Sequence, residues 1–233
     1  MSDTFTTHSY TPYSSNPRTC IIESSSGKFY AGVRIENISY PLTIPAVQAA
    51  CTICLSEGET PSRLYLNEYN YEQLDFWKEE YELEVQFDTD LPFEKVEALL
   101  HPLSPQLSTT AKLKELLSKA VVPNSDFQVA ALLFTNDGYF EGANIEVSEW
   151  TNGLCAERVA IAKAITAGYT EFDRFEILTK KGQVSSPCGS CRQVMAEFMP
   201  TSKIVLHHAD NTVSEHFMNE LLPFNFTSDS LKK

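Results

Sequence analysis

Three cysteines and one glutamate in the C-terminal part of the chain have the types and spacing of a metal centre. Cys188 and Cys191 are separated by two residues at a predicted loop-to-helix junction, so both sulfurs can approach one ion from the first turn of a helix. Cys155 begins another predicted helix, and no fourth cysteine or histidine accompanies these motifs locally. Three thiolates leave one position of a tetrahedral zinc ion open, as catalytic zinc sites do, whereas structural sites usually fill all four.

Two charged residues after Cys155 favour catalysis over the alternatives. A Cys-x-x-Cys pair alone is as typical of a redox dithiol or of a closed structural zinc site. Glu157 lies two residues from Cys155, where its carboxylate can exchange a proton with a metal-activated water, and neither alternative needs it. Arg158 can donate hydrogen bonds to the thiolates, and a positive side chain there offsets the negative charge that three thiolates place around zinc.

The composition excludes several classes of protein. The 233 residues are 42% hydrophobic, which is ordinary for a globular protein and excludes disorder. The formal net charge of −13 opposes binding to a nucleic-acid backbone, because its phosphates are repelled. No stretch approaches the roughly 20 apolar residues of a membrane helix, and the first residues lack the basic and apolar regions of a secretory signal. We therefore expect a cytoplasmic protein with reduced cysteines and a small-molecule substrate.

The chain contains an internal repeat at an offset of 110 residues. Residues 27–36 read GKFYAGVRIE and residues 137–146 read DGYFEGANIE, and the same offset continues without a gap over more than thirty residues. Similarity at a fixed offset indicates a duplicated structural unit. We place the boundary in a stretch rich in proline and serine, and divide the chain into a first copy (1–106) and a second copy (107–233).

The elements that must position these residues alternate between strands and helices. In the second copy the pattern predicts helices over 109–120, 155–167 and 188–198, with Ser108, Thr109 or Thr110 as a cap, and strands over 129–134, 139–147, 175–179 and 203–208. In the first copy it predicts a helix near 46–56 and strands near 20–22, 29–35, 64–66 and 83–87. This alternation predicts an α/β fold in which each copy is a layered mixed sheet flanked by helices.

The paired motifs resemble those of the cytidine deaminase family. The family pattern pairs C-A-E-R with P-C-G-x-C-R-Q, and this chain reads CAER at 155–158 and PCGSCRQ at 187–193. The resemblance implies two tandem cytidine-deaminase-like domains, with zinc held by Cys155, Cys188 and Cys191. It also implies hydrolytic deamination of cytidine or deoxycytidine to uridine or deoxyuridine, releasing ammonia as in pyrimidine salvage. Glu157 is then expected to act as general base and afterwards as general acid.

The resemblance also supplies candidates for nucleoside binding. Asn144 and Glu146 match the family's N-x-E, which lies eleven residues ahead of the cysteine and holds the ribose hydroxyls. Phe127 aligns with an aromatic residue that flanks the base, with core packing as the alternative, and Ala156 of the C-A-E-R motif is a further expected contact. Phe226 matches the aromatic residue of a C-terminal L-L-P-x-x-F, where anchoring of the tail is the alternative role.

The first copy lacks the chemistry of the second. Pro45, Val47 and Gln48 stand where the second copy has its first cysteine, its glutamate and its arginine, and P-C-G-x-C has no counterpart. Cys51 and Cys54 do form a Cys-x-x-Cys, but in the middle of a predicted helix, so we expect them in the core. The resemblance is therefore to a two-domain form of the family with a degenerate N-terminal copy.

The first copy nevertheless keeps a segment that the family uses between subunits. Ser39 and Tyr40 match an S-Y segment that reaches into a neighbour's active site, whereas the second copy has Glu149 and Trp150 there. We therefore expect Tyr40 to help build the catalytic pocket of the second copy, within the chain or across a homodimer. The loop with Glu149 and Trp150 is expected to face the degenerate copy.

Two other functions stay open at this point. A deaminase of another aminopyrimidine nucleoside, or of a nucleoside antibiotic, is compatible with the same motifs. A non-catalytic zinc-binding interaction protein with a deaminase-like shell would hold the metal, but it would have no use for Glu157.

Overall fold

Each copy of the repeat folds around one mixed β-sheet in the computed structural model, which describes residues 4–227. In the first copy the strands follow the order β2-β1-β3-β4, and only β3 and β4 are parallel. The elements of this copy are, in chain order, α1 (Thr4–Thr7), β1 (Thr19–Ser24), β2 (Phe29–Val33), α2 (Ala46–Ser56), β3 (Pro61–Leu66), α3 (Leu74–Glu80) and β4 (Glu84–Phe87).

The second copy repeats this topology and adds one strand at the edge. Its strands follow the order β6-β5-β7-β8-β9, and only β7 and β8 are parallel. Its elements are α4 (Thr109–Leu116), β5 (Val129–Thr135), β6 (Gly138–Ala143), α5 (Ala156–Thr166), β7 (Arg174–Thr179), α6 (Gly189–Phe198), β8 (Lys203–His207), β9 (Val213–Phe217) and α7 (Met218–Leu221). The predicted α/β fold with two tandem mixed sheets is confirmed.

The predicted elements agree with the observed ones except at several ends. The predicted strand 139–147 ends at Ala143, because the side chain of Asn144 takes over the pairing with the neighbouring chain segment. Its Oδ1 accepts the Val129 N–H at 2.8 Å, and its Nδ2 donates to the Phe127 carbonyl at 2.9 Å. Ser108 is the observed cap of α4, which gives way to a 3₁₀ turn after Leu116, short of the predicted end.

Helices α2 and α5 pack against each other and against both sheets. Every residue of α2 is buried, including Cys51 and Cys54, and every residue of α5 is buried except Arg158. This arrangement places the two predicted core cysteines in the interior as expected. The outer face of the second sheet is covered by α4, through Leu113 and Leu116.

A glycine in each copy allows the helix to approach the sheet. A Cβ atom on Gly142 of β6 would lie 2.1 Å from the Ala156 carbonyl oxygen of α5. A Cβ atom on Gly32 of β2 would lie 2.2 Å from the Ala50 nitrogen of α2. Both distances are shorter than the contacts that a real Cβ atom makes. Strand and helix can therefore approach this closely in both copies only because the residue between them is glycine.

A buried ion pair joins the two copies beside these helices. The Lys163 ammonium of α5 donates to the carboxylate of Glu57, which ends α2, and to the Ser56 hydroxyl at 3.1 Å. Lys119 contacts the same carboxylate at 3.3 Å. Burial lowers the pKa of Lys163, and the Glu57 carboxylate opposes that shift.

No helix in the described part of the chain has the length and apolar character to cross a bilayer.

Candidate active site

The three predicted metal-binding cysteines meet where two helices begin. Cys155 is the N-cap residue of α5, Cys188 is the N-cap residue of α6, and Cys191 lies in the first turn of α6. Their sulfurs all lie within 4.8 Å of one another, and those of Cys155 and Cys188 are 3.9 Å apart. Within residues 4–227 no other group of three or more cysteine, histidine or acidic side chains is so arranged. The positive ends of two helix dipoles therefore point at the sulfurs.

The cysteine cluster favours thiolate formation at one sulfur. The pKa of the Cys188 thiol is lowered, first because the Cys155 thiol donates to its sulfur, then because Cys191 does so through its thiol and its backbone N–H. A thiolate at a helix N-terminus is the form that binds a metal ion. Three sulfur donors with no fourth protein ligand beside them match the donor set of a catalytic zinc site.

Glu157 lies against this cluster as the second residue of α5. Its side chain is 3% exposed, and it lines the cavity next to Cys155 and Cys188. Burial raises the pKa of Glu157 to about 7, because loss of solvent penalises the charged carboxylate. A carboxylate in such surroundings can both accept and return a proton, which is the property of a general acid and base.

Cys155, Cys188 and Glu157 form one part of the wall of a cavity of about 400 Å³ in the second copy. This volume is in the range of sites that bind small molecules. Three further predicted site residues, Phe127, Asn144 and Glu146, also line it. The cavity therefore brings together a metal-type cluster, a buried carboxyl group and two polar side chains.

Five predicted site residues are not part of this lining, and Arg158 is one of them. Cys191 and Ala156 are buried behind it. Tyr40 is 84% exposed on a 3₁₀ turn, and Phe226 is 49% exposed near the end of the described chain. Within one chain, the structure therefore does not bring Tyr40 or Phe226 to the cavity.

Arg158 makes its hydrogen bond to the first copy. Its Nη2 donates to the Leu42 carbonyl at 2.8 Å, whereas its Nε is buried and has no partner. Gln48, which takes the same position in the first copy, donates to the Asn152 carbonyl at 2.9 Å, so the two contacts mirror each other. The bond from Arg158 to a thiolate stays a prediction, and the unpartnered Nε is the donor available for it.

Glu146 holds a turn of the backbone at the cavity rim. Its carboxylate accepts the Asn124 N–H at 3.0 Å, the Ser125 N–H at 3.1 Å and the Ser125 hydroxyl. Glu36 makes the corresponding bonds in the first copy, so this role is independent of any cavity chemistry. Asn144 has no such counterpart, because arginine replaces it in the first copy.

The region of the first copy that corresponds to the cavity is largely filled. Arg34 takes the place of Asn144, and its guanidinium pairs with Glu36 at 3.1 Å and with the carboxylate of Glu72. The space left beside it, bordered by Arg18 and Tyr71 among others, is only about 70 Å³. The first copy thus lacks both the ligands and the room of a nucleoside-sized site.

Trp150 is an aromatic residue of the cavity wall that the sequence analysis did not assign to it. Trp150 is 64% exposed and lines the cavity of its own copy, so its loop does not face the degenerate copy alone, although hydrogen bonds at both ends join the loop to that copy. The loop turns back because Ile145 and Leu154 form a two-way backbone bridge at its base. The available signal was an aromatic residue in a short loop directly before Cys155.

A second missed residue, Arg192, lies within the PCGSCRQ motif itself. Its Nε donates to the Pro187 carbonyl at 2.9 Å, and its Nη1 donates to the Leu221 carbonyl at 3.1 Å. The next residue, Gln193, donates to the Phe226 carbonyl at 2.9 Å. These contacts fix the loop before Cys188 to the C-terminal segment.

Comparisons with known proteins agree with the geometry of the site. A family described as "Cytidine and deoxycytidylate deaminase zinc-binding region" matches residues 105–208, and a second family of the same description matches residues 4–66. A cytidine deaminase of Halalkalibacterium halodurans is 39% identical over 114 residues, which are 48% of this chain and 86% of that protein. One of Mycoplasma genitalium is 36% identical over 117 residues, 49% of this chain and 90% of that protein.

Among solved structures, a cytidine deaminase from Burkholderia pseudomallei is 36% identical, with a TM-score of 0.49 over 52% of this chain and 100% of that one. The curated relatives are matched over most of their own length and over about half of this chain. The two family matches fall in different copies of the repeat. This chain is a member of the cytidine and deoxycytidylate deaminase family, with one match to the family in each copy of its repeat.

Proposed function

We propose that the chain catalyses the zinc-dependent hydrolytic deamination of cytidine or deoxycytidine in pyrimidine salvage. The observation that carries this proposal is the buried Glu157 beside three convergent cysteines, two of which share the wall of one cavity with it. The relatives named cytidine deaminase support the substrate class. The proposed organisation is a degenerate first domain (1–106) and a catalytic second domain (107–233).

Zinc is the cofactor of this site, and Cys155, Cys188 and Cys191 are proposed to hold it. The donor set fits the ion, because three sulfurs converge without a fourth ligand and two helix N-termini stabilise thiolates there. The buried and unpartnered Nε of Arg158 is available to a thiolate once all three cysteines are ionised. When bound, zinc supplies the positive charge that activates the attacking water.

Glu157 is proposed to move every proton in the reaction. As a carboxylate it accepts a proton from the attacking water and passes it to the pyrimidine ring nitrogen. A bond forms between the water oxygen and C4, and Glu157 then takes the remaining proton from that oxygen and gives it to the amine. The bond between C4 and the amine breaks as the C4–oxygen double bond forms, and ammonia leaves. Because the side chain is buried, the proton stays on the carboxyl group between these steps instead of passing to bulk water.

Residues away from the cysteines are proposed to orient the nucleoside. Asn144 and Glu146 offer an amide and a carboxylate to the sugar hydroxyls, which can both donate and accept hydrogen bonds. Phe127 lines the same cavity and is proposed to flank the base. Ala156 is buried between Cys155 and Glu157, so its proposed contribution is a backbone contact.

The deciding experiment measures ammonia release from a panel of aminopyrimidine nucleosides and free cytosine, with zinc quantified in the same sample. We expect turnover of cytidine or deoxycytidine and one zinc per chain. Turnover of a different nucleoside alone would replace the substrate. Zinc without any ammonia would favour the non-catalytic interaction protein, and two zincs per chain would show that the first copy also binds metal.

Replacing Glu157 with glutamine tests its role as proton carrier. Because general acid–base catalysis contributes about 10²–10⁴ to a rate, we expect kcat to fall by at least 10²-fold while zinc content stays at the wild-type value. Glu171→Gln is the matched control, since Glu171 is an exposed carboxylate outside the cavity lining. A Glu157→Gln enzyme that kept a tenth of the wild-type activity would contradict the assignment.

Replacing Asn144 with alanine tests the sugar contact. A lost hydrogen bond in a cavity reduces affinity by roughly tenfold, so we expect kcat/KM for cytidine to fall at least that much. Any activity on free cytosine, which has no sugar, is expected to change little. Equal losses on both substrates would instead assign Asn144 to its observed bonds with the backbone of Phe127 and Val129.

We also infer a homodimer, in a cytoplasmic and therefore reducing setting, with free cysteines. Tyr40 does not line the cavity of its own chain and is exposed, so its proposed site of action is the cavity of the partner subunit. Phe226 is exposed as well and has the same proposed role. Two exposed aromatic side chains on one chain are suited to an interface.

The Tyr40→Ala variant tests the contribution across the dimer. We expect kcat/KM to fall about tenfold, in line with the loss of one buried aromatic contact, with zinc content, molecular mass and melting temperature nearly unchanged. Tyr69→Ala is the control, because Tyr69 is an exposed tyrosine of the same copy. A monomer by light scattering at assay concentration, or a loss of stability without a kinetic change, would rule out this role.

A further inference from the structure

The cavity loop, which we define as residues 148–153, carries Trp150 onto the cavity wall. Part of this loop is a 3₁₀ turn, Trp150–Asn152, and its internal bonds join residues two or three positions apart along the chain. Such local bonds shape the loop but do not fix it to the rest of the protein. Beyond the Ile145–Leu154 backbone bridge at its base, the position of the loop therefore depends on hydrogen bonds to residues outside it.

Those outside contacts come from the first copy. At one end, the Glu80 carboxylate of α3 accepts the Ser148 N–H at 2.9 Å and also the Ser148 hydroxyl. At the other end, the Gln48 amide of α2 donates to the carbonyls of Asn152 at 2.9 Å and Gly153 at 3.3 Å. Among the described residues, every hydrogen bond that leaves the cavity loop ends on Glu80 or Gln48.

Both anchors are suited to this task. Gln48 is buried in α2, so its amide has few other orientations. Glu80 is half-buried at the end of α3 and accepts two bonds from a single residue, which is a charge-assisted and geometrically specific contact. The loop contributes no charged side chain to either anchor, so the contact depends on hydrogen-bond geometry instead of general attraction.

The first copy has the mirror-image contact, without a cavity to serve. Glu197 of α6 accepts the Ile38 N–H at 2.7 Å, and Ile38 has the same position in the first copy as Ser148 in the second. The residues after Ile38 lead to Tyr40, which is exposed and lines no cavity of its own chain. Within one chain, the contact therefore bears on a cavity only in the direction from the first copy to the second.

We propose that Glu80 and Gln48 are positioning residues that hold Trp150 as a wall of the nucleoside cavity, so that the degenerate copy sets the substrate affinity of the catalytic copy. This inference rests on the proposed function. Trp150 contacts the bound nucleoside through its indole ring, and aromatic contacts of this kind depend on the position of the ring. Releasing the loop weakens the contact and leaves the metal cluster and Glu157 in place.

The first test compares two neighbouring carboxylates on α3. Glu80→Ala is expected to raise KM for cytidine about tenfold, the effect of losing one charge-assisted contact, with kcat and zinc content unchanged. Glu79→Ala removes the same charge from an exposed position on the same helix and is expected to leave KM unchanged. Glu80→Gln is expected to recover part of the affinity, because its amide oxygen still accepts the Ser148 N–H.

The second test asks whether Glu80 acts through Trp150. Trp150→Ala is expected to raise KM by itself, and Glu80→Ala is then expected to add little in that background, since residues that act through one another are not additive. A rise in KM of full size in the Trp150→Ala background would overturn the proposal. So would equal effects of Glu79→Ala and Glu80→Ala.

The third test needs no substrate and therefore separates this proposal from the proposed function. The chain has two tryptophans, and acrylamide reaches Trp150 but not the fully buried Trp77. The fluorescence that acrylamide quenches therefore comes from Trp150. In the Glu80→Ala variant, the anisotropy of this fluorescence is expected to fall, because the indole of Trp150 moves more freely. An unchanged anisotropy would overturn the proposal even in an active enzyme.

A wild-type chain that deaminates no nucleoside would remove the proposed function, and the anisotropy would still decide whether Glu80 holds the loop. If the Glu80→Ala variant does not fold, the Ser148→Ala variant replaces it in all three tests. This variant lacks the Ser148 hydroxyl and therefore one of the two hydrogen bonds between Ser148 and Glu80. Its expected effects have the same direction and are smaller, because the backbone N–H of residue 148 still donates to Glu80.

Discussion

The packing of α2 against α5 is the contact on which both copies depend. All of α2 is buried, and in α5 only Arg158 reaches solvent, so neither helix has a face that could stand exposed. Each helix also covers its own sheet at the close distance that Gly32 and Gly142 permit. Removing the first copy would expose the apolar surface of α5 and displace the helix that begins at Cys155. The first copy therefore forms half of the core that positions the second.

Around this contact, the two copies share the residues that hold the backbone and differ in the residues at the cavity. Glu36 and Glu146 hold the same backbone turn, and Gln48 and Arg158 donate to equivalent carbonyls of the opposite copy. By contrast, Arg34 replaces Asn144 and closes the corresponding space with ion pairs. The two copies thus differ at the cavity and share the contacts that join them.

Features that depend on neighbouring residues of the chain are predictable from this sequence, whereas features that depend on contacts between distant residues are not. The bounds 46–56 predicted for α2 match the structure, and the cysteines of the second copy cluster as expected, because capping, periodicity and motif spacing act over a few residues. The end of β6 was missed because the side chain of Asn144 replaces a backbone partner. The orientation of Trp150 was missed because its loop is held by Glu80, 68 residues away along the chain. A contact of that separation leaves no trace in local patterns.

The buried pair of Lys163 and Glu57 explains why a first copy pairs with a second one. At the offset of the repeat, Ile53 stands at the position of Lys163, and Ala167 stands at the position of Glu57. Two first copies packed in this way would set the partly buried Glu57 carboxylate against isoleucine, and two second copies would set the buried Lys163 ammonium against alanine. Leaving one partner of a buried pair alone costs about 3–5 kcal/mol, so both like pairings are penalised. Only the unlike pairing satisfies both charges, and it is also the pairing that brings Glu80 to the loop of Trp150.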